Sequence, residues 1–235
     1  MLKLVVLSGA GVSAESGLNT FRDSNGLWEN YRIEDVATPE AFLLNPELVL
    51  SFYNMRRQQV LKAEPNDAHK SLEIYNNAKT KSGRTLGIQI ITQNVDDLHE
   101  RAGSGSVLHL HGEILKARST THPHLIYDWK RDITLSDRCE QGSQLRPHIV
   151  WFNEEVPLMD EAIALVQKAD ILLIVGTSLA VYPAAGLVHY RQELCPVYLV
   201  DPNLSEVPGV HPLYLYKEEA GHGIIKALQH IIENY

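Results

Sequence analysis

The stretch LVVLSGAGVSAESGLNTFR, residues 4–22, sets an apolar run directly against a glycine-punctuated polar segment. Leu4, Val5, Val6 and Leu7 show no alternation of polar and apolar side chains, which is the pattern of a strand covered on both faces. Gly9-Ala10-Gly11 follows where such a strand hands over to a helix, at the carboxyl edge where open α/β sheets place their ligands. Glycines there admit backbone conformations closed to other residues and let a ligand approach the main chain. A helix starting near Ser13 would turn free amides and its positive end toward an anion. Gly17 falls three residues late for the G-x-G-x-x-G dinucleotide fingerprint. An ordinary glycine turn therefore accounts for this motif as well as a phosphate cradle does.

Working outward, the run at 2–8 is joined by others at 87–94, 106–112, 148–152, 170–178 and 196–203, all rich in Val, Ile and Leu. They read as buried parallel strands. Between them the spacing predicts helices over 67–81, 159–169, 182–193 and 221–234, and two over 39–63, split where Asn45-Pro46 begins a new helix. Strands alternating with helices predict an α/β fold with a doubly wound parallel sheet. Two segments break the rhythm: 27–65 is helical, and 116–147 is polar and irregular with little to build a core. The expected organisation is one domain over 1–235. Its large lobe comprises 1–26, 66–115 and 148–235, and the two insertions form a smaller lobe.

The chain of 235 residues is 44% hydrophobic and carries a formal net charge of −8, without a Lys/Arg-rich run. That disfavours a nucleic-acid partner. No apolar stretch approaches the roughly 20 residues needed to span a bilayer, and the opening apolar run is too short for a secretory signal. Cys139 and Cys195, far apart in sequence, fit a reducing compartment. The expectation is a cytoplasmic protein without membrane partners, and a monomer is compatible with the sequence.

Other strand ends also carry small or polar residues: TQNVDDLH (92–99), HGE (111–113), GTS (176–178) and DPN (201–203). In a doubly wound sheet these converge on one crevice. At this point the chain resembles the sirtuins, NAD-dependent protein lysine deacylases with a Rossmann-like lobe. The matching stretches are GAGVSAESGLNTFR, TQNVDDLHERAG, LHLHGE, LRPHIVWFNEEVP and VGTSLAVYPAAGL, in family order.

The first loop would meet the NAD pyrophosphate with the amides of Ala10 and Gly11, helped by Ser13, with Gly9 also counted among the cofactor-binding residues. Arg22 could support the loop or reach a phosphate as a planar fork. The resemblance places Phe21 over the reacting ribose, and counts Glu15, Trp28 and Leu204 among the cofactor contacts. It assigns Gln93 and Asn94 to the ribose and Asp96 to the nicotinamide carboxamide, whose NH2 a carboxylate can accept. Asp97 reads as a helix cap. Gly176, Thr177, Ser178, Asn203 and Ala220 would hold the adenosine half. In LHLHG the two histidines fall at i and i+2, on one face of a strand. The HG match selects His111 as general base, leaving His109 structural; an imidazole titrating near neutrality suits proton abstraction. Nicotinamide and O-acyl-ADP-ribose are the implied products.

VWFNEE would offer Val150, Trp151 and Phe152 to an acyl-lysine peptide by main-chain pairing. Asn153 stands where sirtuins usually have glycine. Tyr53 and Arg56, spaced i, i+3, share a helix face, and the pair resembles that of sirtuins acting on succinyl- and malonyl-lysine. The implied activity is removal of succinyl, malonyl and acetyl groups. Many sirtuins bind structural zinc through four cysteines; 116–147 holds only Cys139, with His122, His124 and His148 nearby, at spacings that match no standard zinc pattern. No metal is expected, and Ile126, Tyr127, Trp129 and Ile133 would hold the lobe instead. An ADP-ribosyltransferase and a non-catalytic NAD or ADP-ribose module are the alternatives. A hydride-transferring dehydrogenase fits less well, because Gly17 is late and no acidic residue closes the second strand.

Overall fold

The computed structural model describes residues 1–19, 27–28, 31–203 and 206–235. Leu2–Ser8 forms β1, which pairs in parallel with β4 (Leu86–Thr92) on one side and β9 (Ile171–Val175) on the other. Outside β4 lies β5 (Val107–His109). Outside β9 lie β10 (Val197–Val200) and β11 (Leu213–Tyr216), giving a six-stranded parallel sheet in the order β11-β10-β9-β1-β4-β5. The strand order reverses at the β1/β9 junction, so a crevice opens beyond their carboxyl ends.

Both faces of the sheet are covered, as the unbroken apolar runs require. Leu2, Leu4 and Val6 enter one core, with Ala68 and Leu72 of α5 (Asp67–Tyr75) and Ile224, Leu228 and Ile231 of α8 (Ala220–Asn234). Val5 and Leu7 enter the opposite core, with Ala162 and Val166 of α7 (Met159–Gln167) and Leu187 of the 3-10 helix Ala184–Tyr190. Alternate side chains of one strand thus serve two cores.

A third core joins α3 (Pro39–Leu44) and α4 (Pro46–Lys62) to a three-stranded antiparallel sheet in the order β7-β6-β8, from Gly112–Ser119 (β6), Ile126–Asp128 (β7) and Leu145–Ile149 (β8). The break between α3 and α4 falls at Asn45, whose Oδ1 accepts the Leu48 amide at 3.1 Å, a side-chain cap followed by proline at the first helical position.

Several expectations are corrected. The run at 148–152 is not a strand of the parallel sheet: His148 and Ile149 end β8 and pair antiparallel with Glu113 and Gly112 of β6. The sixth parallel strand is instead β11, from a tyrosine-rich segment without a clear apolar run. The 116–147 insertion does build a core, with Ala117, Ile133, Cys139 and Leu145 all buried. Ile126, expected to hold it, is exposed, while Tyr127 and Trp129 pack against it half-buried. The helix expected over 67–81 stops at Tyr75, because Asn77 turns the chain at φ 69° and the Asn76 side chain accepts the Ile88 amide. The 182–193 helix is a shorter 3-10 turn. No helix among the described residues is long and apolar enough to cross a membrane.

Candidate active site

The crevice beyond β1 and β9 is a cavity of about 750 Å3. At its floor the loops after these strands cross at van der Waals distance. The Gly9 amide donates to the Val175 carbonyl at 3.0 Å and the Gly11 amide to the Gly176 carbonyl at 2.8 Å. A Cβ on Gly11 would lie 2.7 Å from the Gly176 Cα, and Gly176 itself holds φ +60°. These glycines therefore serve first a backbone crossing between two loops, and neither Gly9 nor Gly11 has a positive φ. Both their amides are committed, so the expected phosphate donors reduce, among the described residues, to the amide of Ala10. The following helix, α1 (Gly11–Ala14), is one turn long and starts before Ser13.

Ser13 is buried and occupied. Its hydroxyl donates to Asp96 Oδ2 at 2.9 Å and accepts from Asn94 Nδ2 at 3.1 Å. That bonding turns it away from the expected phosphate role and makes it the organiser of Asp96. The Leu98 amide adds a bond to Asp96 Oδ1 at 3.2 Å. Burial raises the Asp96 carboxyl above its ordinary range, and these two donors oppose the rise. Behind this cluster the imidazoles of His69 and His99 meet edge to face at 4.8 Å. Burial holds His69 down to about 4 and His99 well below the usual histidine value, so both are neutral.

His111 lies on the same cavity. Its Nδ1 stands 3.1 Å from the Gln93 carbonyl, which can only accept, so Nδ1 carries the proton and Nε2 the lone pair. Burial lowers its pKa and the Gln93 carbonyl partly offsets this. β5 ends at His109, so the i, i+2 strand relation does not extend to His111. His109 instead bonds the Asn94 carbonyl at 3.1 Å and Glu100 Oε1 at 2.7 Å. Burial alone would lower it, but Glu100 and the carbonyl outweigh burial and raise it.

Of the remaining expected residues, Gln93, Thr177, Ser178, Asn203, Ala220, Tyr53, Arg56, Val150, Trp151 and Phe152 all line this cavity, as do Gly176 and Glu15. Gln93 Nε2 donates to Thr177 Oγ1 at 3.1 Å, tying the β4 and β9 loops together. The Glu15 carboxylate accepts the Gly221 amide at 2.7 Å; it caps the start of α8 and braces Ala220. Asp97 precedes α6 (Leu98–Arg101) but makes no side-chain cap; its carboxylate lies 3.6 Å from Arg101. Phe21, Arg22 and Leu204 lie outside the described residues, and Trp28 is described only as backbone, in β2 (Leu27–Trp28).

The expected edge for peptide pairing is changed. β8 ends at Ile149, and the next three amides have internal acceptors: Val150 to the His111 carbonyl at 2.9 Å, Trp151 to Glu154 Oε2 at 2.8 Å and Phe152 to the Ala37 carbonyl at 3.0 Å. Residues not anticipated include Val181 and Tyr182. They lie three and four positions beyond GTS, and that nearness was the available signal.

A parallel sheet with its cavity at the point of strand reversal, floored by interlocked glycine loops, defines a nucleotide-binding α/β protein. The cavity has room for a nucleotide-sized ligand, with the buried Asp96 in its lining. Residues 9–183 match the Sir2 family. The chain is 48% identical over 233 residues to an NAD-dependent protein deacylase of Helicobacter pylori, covering 99% of each. It is 47% identical over 208 residues to one of Escherichia coli K12, covering 86% of this chain and 72% of the other. Among solved structures, a Sir2 homologue in complex with NAD superposes with a TM-score of 0.84 at 38% identity, over 97% of this chain and 89% of that one. A Sir2 complex with p53 peptide and NAD+ gives 0.75 at 29% identity, over 97% and 92%. The chain belongs to the Sir2 family, the NAD-dependent protein deacylases.

Proposed function

We propose that this chain removes acyl groups from protein lysines with consumption of NAD, and prefers acyl groups that end in a carboxylate. The observation that carries this reading is the presence of Tyr53 and Arg56 in the wall of the cavity that also holds His111. Both are buried, on successive turns of α4. Burial raises the Tyr53 phenol, which therefore stays a neutral donor. Arg56 is a permanent cation with Nη1 on Gln59 Oε1 at 3.2 Å. A guanidinium and a phenol together suit a carboxylate. A small neutral acyl group also fits such a wall, which keeps acetyl-lysine a slower substrate.

NAD supplies the electrophilic ribose carbon and the ADP-ribose that accepts the acyl group. The chain's own residues orient and move protons. Asp96, held by Ser13 and Leu98, accepts from an amide NH2. His111, with its Nδ1 proton fixed on Gln93, offers Nε2 as the base toward a sugar hydroxyl. Ala10 and Asn203 line the same cavity, and this reading gives the Ala10 amide to the phosphates and Asn203 to the adenosine half.

The same reading holds that the small lobe needs no zinc. Cys139 is buried in a hairpin closed by its amide to the Ser143 carbonyl at 2.9 Å. Among the described residues no three His, Cys, Asp or Glu side chains group around a metal position. Metal analysis of the purified protein is expected to find no stoichiometric zinc.

The deciding experiment is turnover of one peptide carrying acetyl, malonyl or succinyl lysine in turn, with NAD and with mass detection of products. Faster release of the two acidic groups as O-acyl-ADP-ribose supports the reading. Acetyl preference removes the carboxylate clamp, and ADP-ribose found on protein makes the chain a transferase of that group instead.

A further inference from the structure

The segment 150–154 carries no regular secondary structure, yet its position is tightly determined. Asn153 sits at φ 69°, and the Glu154 amide closes the turn onto the Trp151 carbonyl at 3.1 Å. The Glu154 carboxylate folds back and takes the Trp151 amide at 2.8 Å. The same carboxylate grips Arg146 of β8 in a two-point pair, Nη1 to Oε1 at 2.6 Å and Nη2 to Oε2 at 3.0 Å, with Arg118 of β6 adding a bond at 3.2 Å. Arg146 and Arg118 both also reach the Ile149 carbonyl, at 3.0 and 3.3 Å.

The guanidinium carbon of Arg146 lies 3.2 Å from the centre of the Trp151 ring. Trp151 is only 3% exposed although it lines the cavity, and its ring also leans on Phe42 at 5.3 Å and Tyr53 at 6.3 Å. Tyr53 is half of the pair assigned above to the acyl end. Binding a carboxylate at two points while covering an indole requires the planar fork of arginine; the compact ammonium of lysine does one or the other. Burial would push Glu154 up, but the Arg146 bonds and charge, the Trp151 amide and Arg118 hold it below its ordinary range, so the carboxylate stays ionised.

We propose that Arg146 and Glu154 are positioning residues for the acyl-lysine substrate: Glu154 holds Arg146 over Trp151, and that contact sets Trp151 against Tyr53 and fixes the 150–153 segment of the cavity wall. The inference rests on the acyl-lysine reading of the cavity. It gives the charge cluster a specific role on the peptide side of the site, while the glycine crossing that floors the dinucleotide side lies in the loops after β1 and β9.

The test uses the full chain with Glu154→Gln and Arg146→Lys, and Glu154→Asp as the variant that keeps the charge. Steady-state kinetics with the acyl peptide and NAD are measured in the chain that keeps all three tryptophans, and acrylamide quenching of tryptophan fluorescence is measured separately in a background carrying Trp28→Phe and Trp129→Phe, where Trp151 alone emits. Displacing a substrate wall by a fraction of an ångström to one ångström predicts a peptide KM raised about tenfold to hundredfold in Glu154→Gln, with the NAD KM held within about twofold. Arg146→Lys changes in the same direction, Glu154→Asp retains part of the effect, and Trp151 becomes more quenchable. An unchanged peptide KM and unchanged quenching overturn the proposal, as does an equal rise in both KM values. Should the unaltered chain turn over no acyl peptide, the functional reading fails, and the quenching arm still decides whether the pair holds Trp151.

Discussion

His111 and Gln93 are joined by one hydrogen bond of 3.1 Å, from imidazole Nδ1 to the backbone carbonyl, and that bond selects the tautomer. The next carbonyl along, Asn94, holds His109 by Nδ1 at the same distance. Two rings two residues apart thus hang from consecutive carbonyls, and a single carboxylate separates their chemistry. Glu100 lies 2.7 Å from His109 Nε2 and raises that ring, whereas burial lowers His111. The surroundings thus favour the charged form of one ring and the neutral form of the other.

The acid limb of kcat/KM should therefore report a group whose pKa lies below 6.5, the ordinary histidine value. The base acts only when deprotonated, so a lowered pKa extends activity toward lower pH. His111→Ala should cut turnover by about 100-fold to 10,000-fold while calorimetry still detects NAD binding. An acid limb above 6.5, or near-normal turnover, removes His111 as the base.

The alternation of Leu4, Val5, Val6 and Leu7 between two cores was legible in the sequence because a doubly covered strand needs apolar residues throughout. The convergence of strand ends was legible for the same reason: a parallel sheet puts all its carboxyl edges on one side. β11 was hidden because an edge strand buries less and tolerates Tyr214, Tyr216 and an exposed Leu215. The small sheet was hidden because its core comes largely from residues isolated among polar ones, such as Ala117 and Ile133. The role of Gly11 was misread because its constraint is a neighbour 165 positions away in the chain, Gly176, rather than its own dihedral angles.

Gly11→Ala tests that crossing. The added methyl meets the Gly176 backbone, which cannot rotate aside as a flexible side chain could. Overpacking of this kind costs about 1–3 kcal/mol, and it should appear as a lowered midpoint in urea together with weakened NAD binding. Unchanged stability and affinity would show that the loops separate freely.

Arg56→Met should separate acyl substrates. Losing a charge-assisted bond to a carboxylate costs about 1.5–3 kcal/mol, which corresponds to about a tenfold to hundredfold fall in kcat/KM. That fall is expected for succinyl-lysine, with acetyl-lysine much less affected. An equal fall for both acyl groups assigns Arg56 to the fold.

Asn153 occupies the left-handed region, where a Cβ costs about 1–2 kcal/mol in most residues and asparagine is among the better tolerated. Asn153→Ala should lower stability by about 1 kcal/mol, while Asn153→Gly should fold with the turn intact and keep the Trp151–Glu154 bonds. Urea melts of the two variants make the comparison, and an alanine variant as stable as the parent would show that the turn relaxes.

The His109–Glu100 contact should leave a signature in stability against pH. The folded ring titrates above its ordinary value of 6.5, so the folded state binds its proton more tightly than the unfolded chain does. The stabilisation is complete below 6.5 and is lost as pH rises through the folded value. Glu100 is 40% exposed on its side chain, so solvent screening limits the contribution to under about 1 kcal/mol. Glu100→Gln should therefore reduce stability in mildly acidic buffer and leave it nearly unchanged in alkaline buffer, as read from urea midpoints across the range. A loss that is equal at both ends would mean that the contact is a neutral hydrogen bond, and the distinction drawn between the two histidines would fall with it.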